Sequence, residues 1–185
     1  TIAGVARDLL PALTRPEAVT ECLRTALLQA HQALSAANSN QPSSALGACT
    51  AGIMVVSAPG GVGVLAHAGQ PFAFRARGAA VTRLFRDQFA EQLEEGRSRG
   101  MWTDPLLPMM GTPGLATEVA CLSLDVQPGD CLAVCSDGVG VLSLEEIAAS
   151  LHPRDSAESQ AERLCQLALA RGSRDNVTAA VIRVL

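Results

Sequence analysis

Asp130-Cys131-Leu132-Ala133-Val134-Cys135-Ser136-Asp137-Gly138-Val139 sets an apolar run between two aspartates, and Asp175-Asn176-Val177-Thr178 opens a second run near the C-terminus. Leu132 to Cys135 is short and stops at Ser-Asp-Gly; Val177 to Leu185 is rich in β-branched residues and starts just after Asp-Asn. Both read as strands. If they are antiparallel neighbours, the end of one lies beside the start of the other. The carboxylates of Asp137 and Asp175 then converge at one end of a sheet, an oxygen-rich arrangement suited to a hard divalent cation.

Outward from these runs the chain reads as α+β. Ile2 to Leu13 and Pro16 to Ala37 carry helical periodicity, the second with Val19, Leu23, Ala26, Leu27, Ala30, Ala33 and Leu34 on one stripe and with Pro16 in the first turn. Asn38 to Leu46, rich in Ser, Asn, Gln and Pro, reads as a loop. Thr50 to Ser57, Val62 to Ala68, Phe72 to Arg77 and Ala79 to Arg83 read as four strands of an antiparallel meander, broken by Pro59-Gly60-Gly61, Gly69-Gln70-Pro71 and Gly78. The Gly60 to Gly63 segment joins two of these strands and opens no helix, so a hairpin turn explains it better than a phosphate loop.

Leu84 to Glu95 reads as a polar helix, and Gly96 to Gly114 as an irregular excursion holding the only Trp. Thr117 to Leu124 and Cys131 to Ser136 are expected to pair through Pro128-Gly129. Ser143-Leu144-Glu145-Glu146 is a capping box opening a helix, and Asp155 with Glu158 opens another that ends at Gly172. There is no internal repeat. A length of 185 residues suits one domain spanning 1–185.

The chain has 14 basic and 18 acidic residues, for a net charge of −4, and every basic residue is Arg. The arginines are scattered (Arg75, Arg77, Arg83, Arg86, Arg97, Arg99), which argues against a nucleic-acid partner. No apolar run approaches the roughly 18 residues of a membrane span, and no basic-then-apolar leader is visible. Cys22, Cys49, Cys121, Cys131, Cys135 and Cys165 form no CxxC pair and read as small buried hydrophobes. Cys131 and Cys135 share a strand face at about 13 Å, too far for a disulfide. A reducing cytoplasm is the expected compartment. The chain starts at Thr1 without Met, so further residues are expected upstream. A free N-terminal Thr nucleophile is disfavoured, because such enzymes open on a strand and this chain opens on a helical pattern.

Set side by side, these pieces resemble the metal-dependent protein phosphatases of the protein phosphatase 2C type over nearly the whole chain. Gly129-Asp130, the apolar strand and Ser136-Asp137-Gly138-Val139 look like the family's turn-strand-SDG block. Gly172-Ser173-Arg174-Asp175-Asn176-Val177-Thr178 looks like its closing DN-(I/V)-T block. The resemblance implies a four-layer α-β-β-α sandwich of two antiparallel sheets flanked by helices. It further implies Asp137 and Asp175 as ligands of Mn²⁺ or Mg²⁺, with Gly138, Asn176, Gly69 and Gln70 as neighbours of the metal site.

The resemblance also has gaps. The family's first strands, with the Asp-Gly pair whose Asp bridges two metals, have no counterpart before the helix at Thr1 to Leu13. Val64 to Phe72 aligns with a Gly-Asp-Ser-Arg turn, but Gln70 stands where the family has a carboxylate; Ala48-Cys49-Thr50 stands where Gly-Thr-Thr is usual. His67, His31 and His152 are read as ordinary strand, helix and turn residues before any acid–base role. The expectation is therefore a domain lacking its first strands, with an incomplete binuclear site and no catalytic residue assigned. It would be inactive as this chain, serving as a regulatory or protein-binding pseudophosphatase. The alternative is Mn²⁺- or Mg²⁺-dependent hydrolysis of phosphoserine and phosphothreonine once an N-terminal segment is present. A phosphoprotein or regulatory protein is the expected partner, with a homo-oligomer or strand addition at an open sheet edge.

Overall fold

Pro16 occupies the first turn of helix α1 (Pro16–Asn38), where its missing N–H costs nothing. In the computed structural model the described residues are 15–41, 47–57, 61–69, 72–84, 110–111 and 117–185. The expected helix Ile2 to Leu13, nearly all of Leu84 to Glu95 and Gly96 to Gly114, and Gln70 lie outside them.

Seven strands follow: β1 (Ala51–Ser57), β2 (Val62–Ala68), β3 (Phe72–Arg77), β4 (Ala80–Arg83), β5 (Val119–Asp125), β6 (Cys131–Cys135) and, at the end, β7 (Ala179–Arg183). Between β6 and β7 come a 3-10 turn (Asp137–Val141) and helices α2 (Leu144–Ser150) and α3 (Ala157–Ala170). One antiparallel sheet has the order β1-β2-β5, the other β4-β3-β6-β7. Helix α1 packs on the first and α3 on the second, so the layers run α-β-β-α.

Strand partners differ from the expected meander. β2 and β3 are consecutive but lie in different sheets, and so are β5 and β6. β5 pairs with β2, and β6 inserts between β3 and β7. Local turn signals mark where a strand ends; they do not say whether the next one returns beside it or crosses to the facing sheet. Burial decides that. Val64, Ala66 and Ala68 on one face of β2 meet Val19, Leu23 and Leu27 of α1, whereas Leu65 on the other face meets Leu132 and Ala73 across the sandwich. Both faces of β2 are covered only if the chain then crosses to a second sheet.

Beyond β6 and β7, Phe74, Ala133 and Cys135 pack against Leu164 and Ala168 of α3 and Ile147 of α2. The capping box of α2 forms as expected: Ser143 Oγ accepts from Glu146 N and Glu146 Oε2 accepts from Ser143 N. α3 is capped by Ser156, one residue past the expected start. In α1 the alanines mislead. Ala30 and Ala33 are exposed, and the last turns bury His31, Leu34 and Asn38 more deeply. Asn38 is the last residue of the helix and not part of the expected loop, and its Nδ2 donates to Gly47 O at 2.6 Å and Gly111 O at 2.7 Å.

All six cysteines are free. Cys131 and Cys135 are buried on one face as expected, but Cys49 is exposed, because its strand partner is a single bridge to Met110 at the margin of the sheet.

Candidate metal centre

β6 and β7 are antiparallel with Cys135 opposite Ala179, so the end of one strand adjoins the start of the other. Asp137 begins the 3-10 turn just after β6, and Asp175 lies just before β7. Both aspartates are exposed at the same sheet end, and neither forms an ion pair among the described residues. The antiparallel pairing of the two runs expected from the sequence is present.

The junction between the two turns is close. Ser136 N donates to Thr178 O at 2.9 Å, Thr178 N donates to Ser136 Oγ at 3.0 Å, and Ser136 Oγ donates to Asn176 O at 2.9 Å. Gly138 lies against the same carbonyl: a Cβ there would sit 2.5 Å from Asn176 O and 3.0 Å from Val177 Cγ2. Only glycine lets the Asp137 turn approach the Asp175 turn this closely. Asp175 Oδ1 accepts from Asn176 N at 2.7 Å, which orients that carboxylate.

Gly69 closes β2 at a positive φ of +80°, and a Cβ there would meet Thr50 Cγ2 at 2.5 Å. His67 Nδ1 donates to Gly69 O at 2.8 Å, and burial lowers the pKa of the imidazole. His67 therefore supports the turn that Gly69 makes.

At the opposite end of β6, Asp130 is buried and bound bidentately: Arg77 Nε donates to Oδ1 and Arg77 Nη2 to Oδ2, each at 2.8 Å, and Gln127 N donates to Oδ2 at 3.0 Å. The hydrogen bonds from Arg77 hold its carboxyl below the ordinary 3.8, against the opposing effect of burial. Arg77 is therefore not one of the scattered surface arginines that the sequence suggests; its partner is 53 residues away and only the β3–β6 register brings them together.

No protein-family model matches this sequence, and no curated protein does. Solved structures do. PppA of Pseudomonas aeruginosa, described as a key regulatory component of T6SS, aligns with a TM-score of 0.76 at 23% identity, over 98% of this chain and 80% of that one. The serine/threonine phosphatase of S. agalactiae aligns at 0.75 with 21% identity, over 93% and 73%. The catalytic domain of the serine/threonine phosphatase PstP, solved with two manganese ions, aligns at 0.66 with 26% identity, over 97% and 76%. This chain has the protein phosphatase 2C fold.

Within that phosphatase fold, the donors decide which metal group the chain suits. Among the described residues no three His, Cys, Asp or Glu side chains gather where an ion could sit. Asp137 and Asp175 are the carboxylates that the ends of β6 and β7 bring to this junction among the described residues. Two exposed carboxylates fit one hydrated Mg²⁺-like cation, which keeps several of its waters, and do not fit a bridged pair of ions.

Proposed function

We propose that residues 1–185 form a protein phosphatase 2C-like domain that does not hydrolyse phosphoesters by itself and acts as a protein-binding pseudophosphatase. The observation that carries this reading is the donor count: a two-metal site clamps the attacking and leaving oxygens with several carboxylates around one cavity, and among the described residues no three His, Cys, Asp or Glu side chains gather where an ion could sit. In this reading they hold at most one hydrated Mn²⁺ or Mg²⁺, too little to activate water and neutralise a phosphoryl group together.

Protein binding draws support from the sheet edges. Among the described residues β1 and β7 pair on one side only. An uncharged cleft of about 340 Å³ lies between them, lined by Thr50, Met54, Val134, Ser136, Thr178 and Ile182. An extended segment of a phosphoprotein or regulatory partner, adding to β7, is the occupant that suits backbone edges of this kind. No helix among the described residues is long and apolar enough to cross a membrane. The six free thiols favour a reducing, cytoplasmic setting.

The deciding experiment supplies the purified chain with Mn²⁺ and p-nitrophenyl phosphate or a phosphothreonine peptide. The expected rate equals that of the Asp137→Ala variant. Mn²⁺-dependent turnover that disappears in Asp137→Ala would overturn the proposal.

A further inference from the structure

In a regular antiparallel ladder, Ser136 and Thr178 would exchange two backbone hydrogen bonds, N–H to C=O in each direction. Here only one is made between backbones: Ser136 N donates to Thr178 O. The Ser136 carbonyl is turned away, and it accepts instead from Val139 N at 3.2 Å, the bond that starts the 3-10 turn. Thr178 N would be left without a partner. It donates to the Ser136 hydroxyl, and that hydroxyl passes its own proton to Asn176 O.

Ser136 Oγ thus stands in for its own carbonyl. The substitution lets β6 change from strand to helical turn at the residue before Asp137 without releasing β7. The extra bond reaches past Thr178 to Asn176, the residue after Asp175. One hydroxyl therefore ties the backbone on which Asp137 is mounted to the backbone on which Asp175 is mounted, and Gly138 leaves the gap that permits it.

We infer that Ser136 is a positioning residue that sets the separation of Asp137 and Asp175, and so the affinity of the pair for a divalent cation. It touches no ion itself; it acts through the two turns. This rests on the reading that the aspartate pair takes one hydrated cation. A group that orients metal ligands in this way typically changes affinity by about 10- to 100-fold when it is lost.

The test measures Mn²⁺ binding to the full chain by the electron paramagnetic resonance signal of free Mn²⁺, with amide exchange at Thr178 recorded alongside. Ser136→Thr keeps the hydroxyl, Ser136→Ala removes it, and Ser136→Cys keeps the bulk with a weaker donor and acceptor, which serves if the alanine variant does not fold. The expected result is at least about tenfold weaker binding in Ser136→Ala and Ser136→Cys, affinity within about twofold of wild type in Ser136→Thr, and faster exchange at Thr178 only where affinity falls. If Asp137→Ala abolishes binding while both hydroxyl-deficient variants keep wild-type affinity, the positioning role is overturned and the cation site stands. If wild type and Asp137→Ala bind Mn²⁺ equally, the cation site itself is wrong and the inference falls with it.

Discussion

Strand β6 begins at one aspartate and ends at another, and the two could hardly be treated more differently. Asp130 is buried, held by both nitrogens of an arginine fork and by Gln127 N. Asp137 is exposed, as is Asp175 across the junction, and neither has a cationic partner among the described residues. A carboxylate whose lone pairs are already filled closes a fold. One that keeps its oxygens toward water remains open to an outside partner, and the proposed cation would be such a partner. The same residue type on one strand is thus tied into the fold at one end and left open to solvent at the other.

The strongest way to break this comparison is to remove each carboxylate in turn. Asp130→Ala leaves Arg77 and the Gln127 amide without their acceptor and is expected to cost about 2–3 kcal/mol in urea unfolding. Asp137→Ala, away from any such partner, is expected to change stability by no more than about 0.5 kcal/mol. Equal losses would show that the Asp137 end is also structural.

The two glycines beside these aspartates sharpen it further. Gly138→Ala drives a Cβ into the Asn176 carbonyl and is expected to cost about 2 kcal/mol through overpacking. Gly129 has a φ of +93° with nothing within 4 Å of a Cβ. Gly129→Ala should therefore cost only the left-handed backbone strain, about 1 kcal/mol. A reversed order would mean that the junction between the aspartate turns is looser than its contacts indicate.

The smallest effect is a pH dependence. Because Arg77 depresses the pKa of Asp130 in the folded state, the pair's contribution is fully present above the ordinary 3.8 and is lost as pH falls through the lower folded value. Asp130→Asn should be less stable than wild type at neutral pH, with the gap narrowing as the pH of the unfolding measurement falls from about 3.8 through the lower folded value. A gap that stays constant down to acid pH would remove the ion pair as its cause.

Several features could be read without the fold because their causes are local. The capping box at Ser143 and Glu146 needs only the first turn of its own helix. Strands β2 and β3 have the boundaries expected, because Gly and Pro interrupt the chain on either side. The two aspartate motifs could be placed at strand ends for the same reason, since one apolar run stops at a polar turn and the other starts from one.

Other features depend on distant partners. Whether β3 returns beside β2 or crosses to the second sheet is settled by which apolar faces need cover, Leu65 against Leu132 and Val64 against Leu23. His31 and Asn38 face inward because Thr117, Gly47 and Gly111 come to meet them. Among the described residues, helices α1 to α3, most strand boundaries and the two acidic turns follow from hydrogen bonds and periodicity within a few residues. That Arg77 neutralises Asp130 and that Ser136 joins the turns of Asp137 and Asp175 could be seen only in the folded chain, because those contacts span 53 and 42 residues and exist only in the register of β6 with its two neighbours.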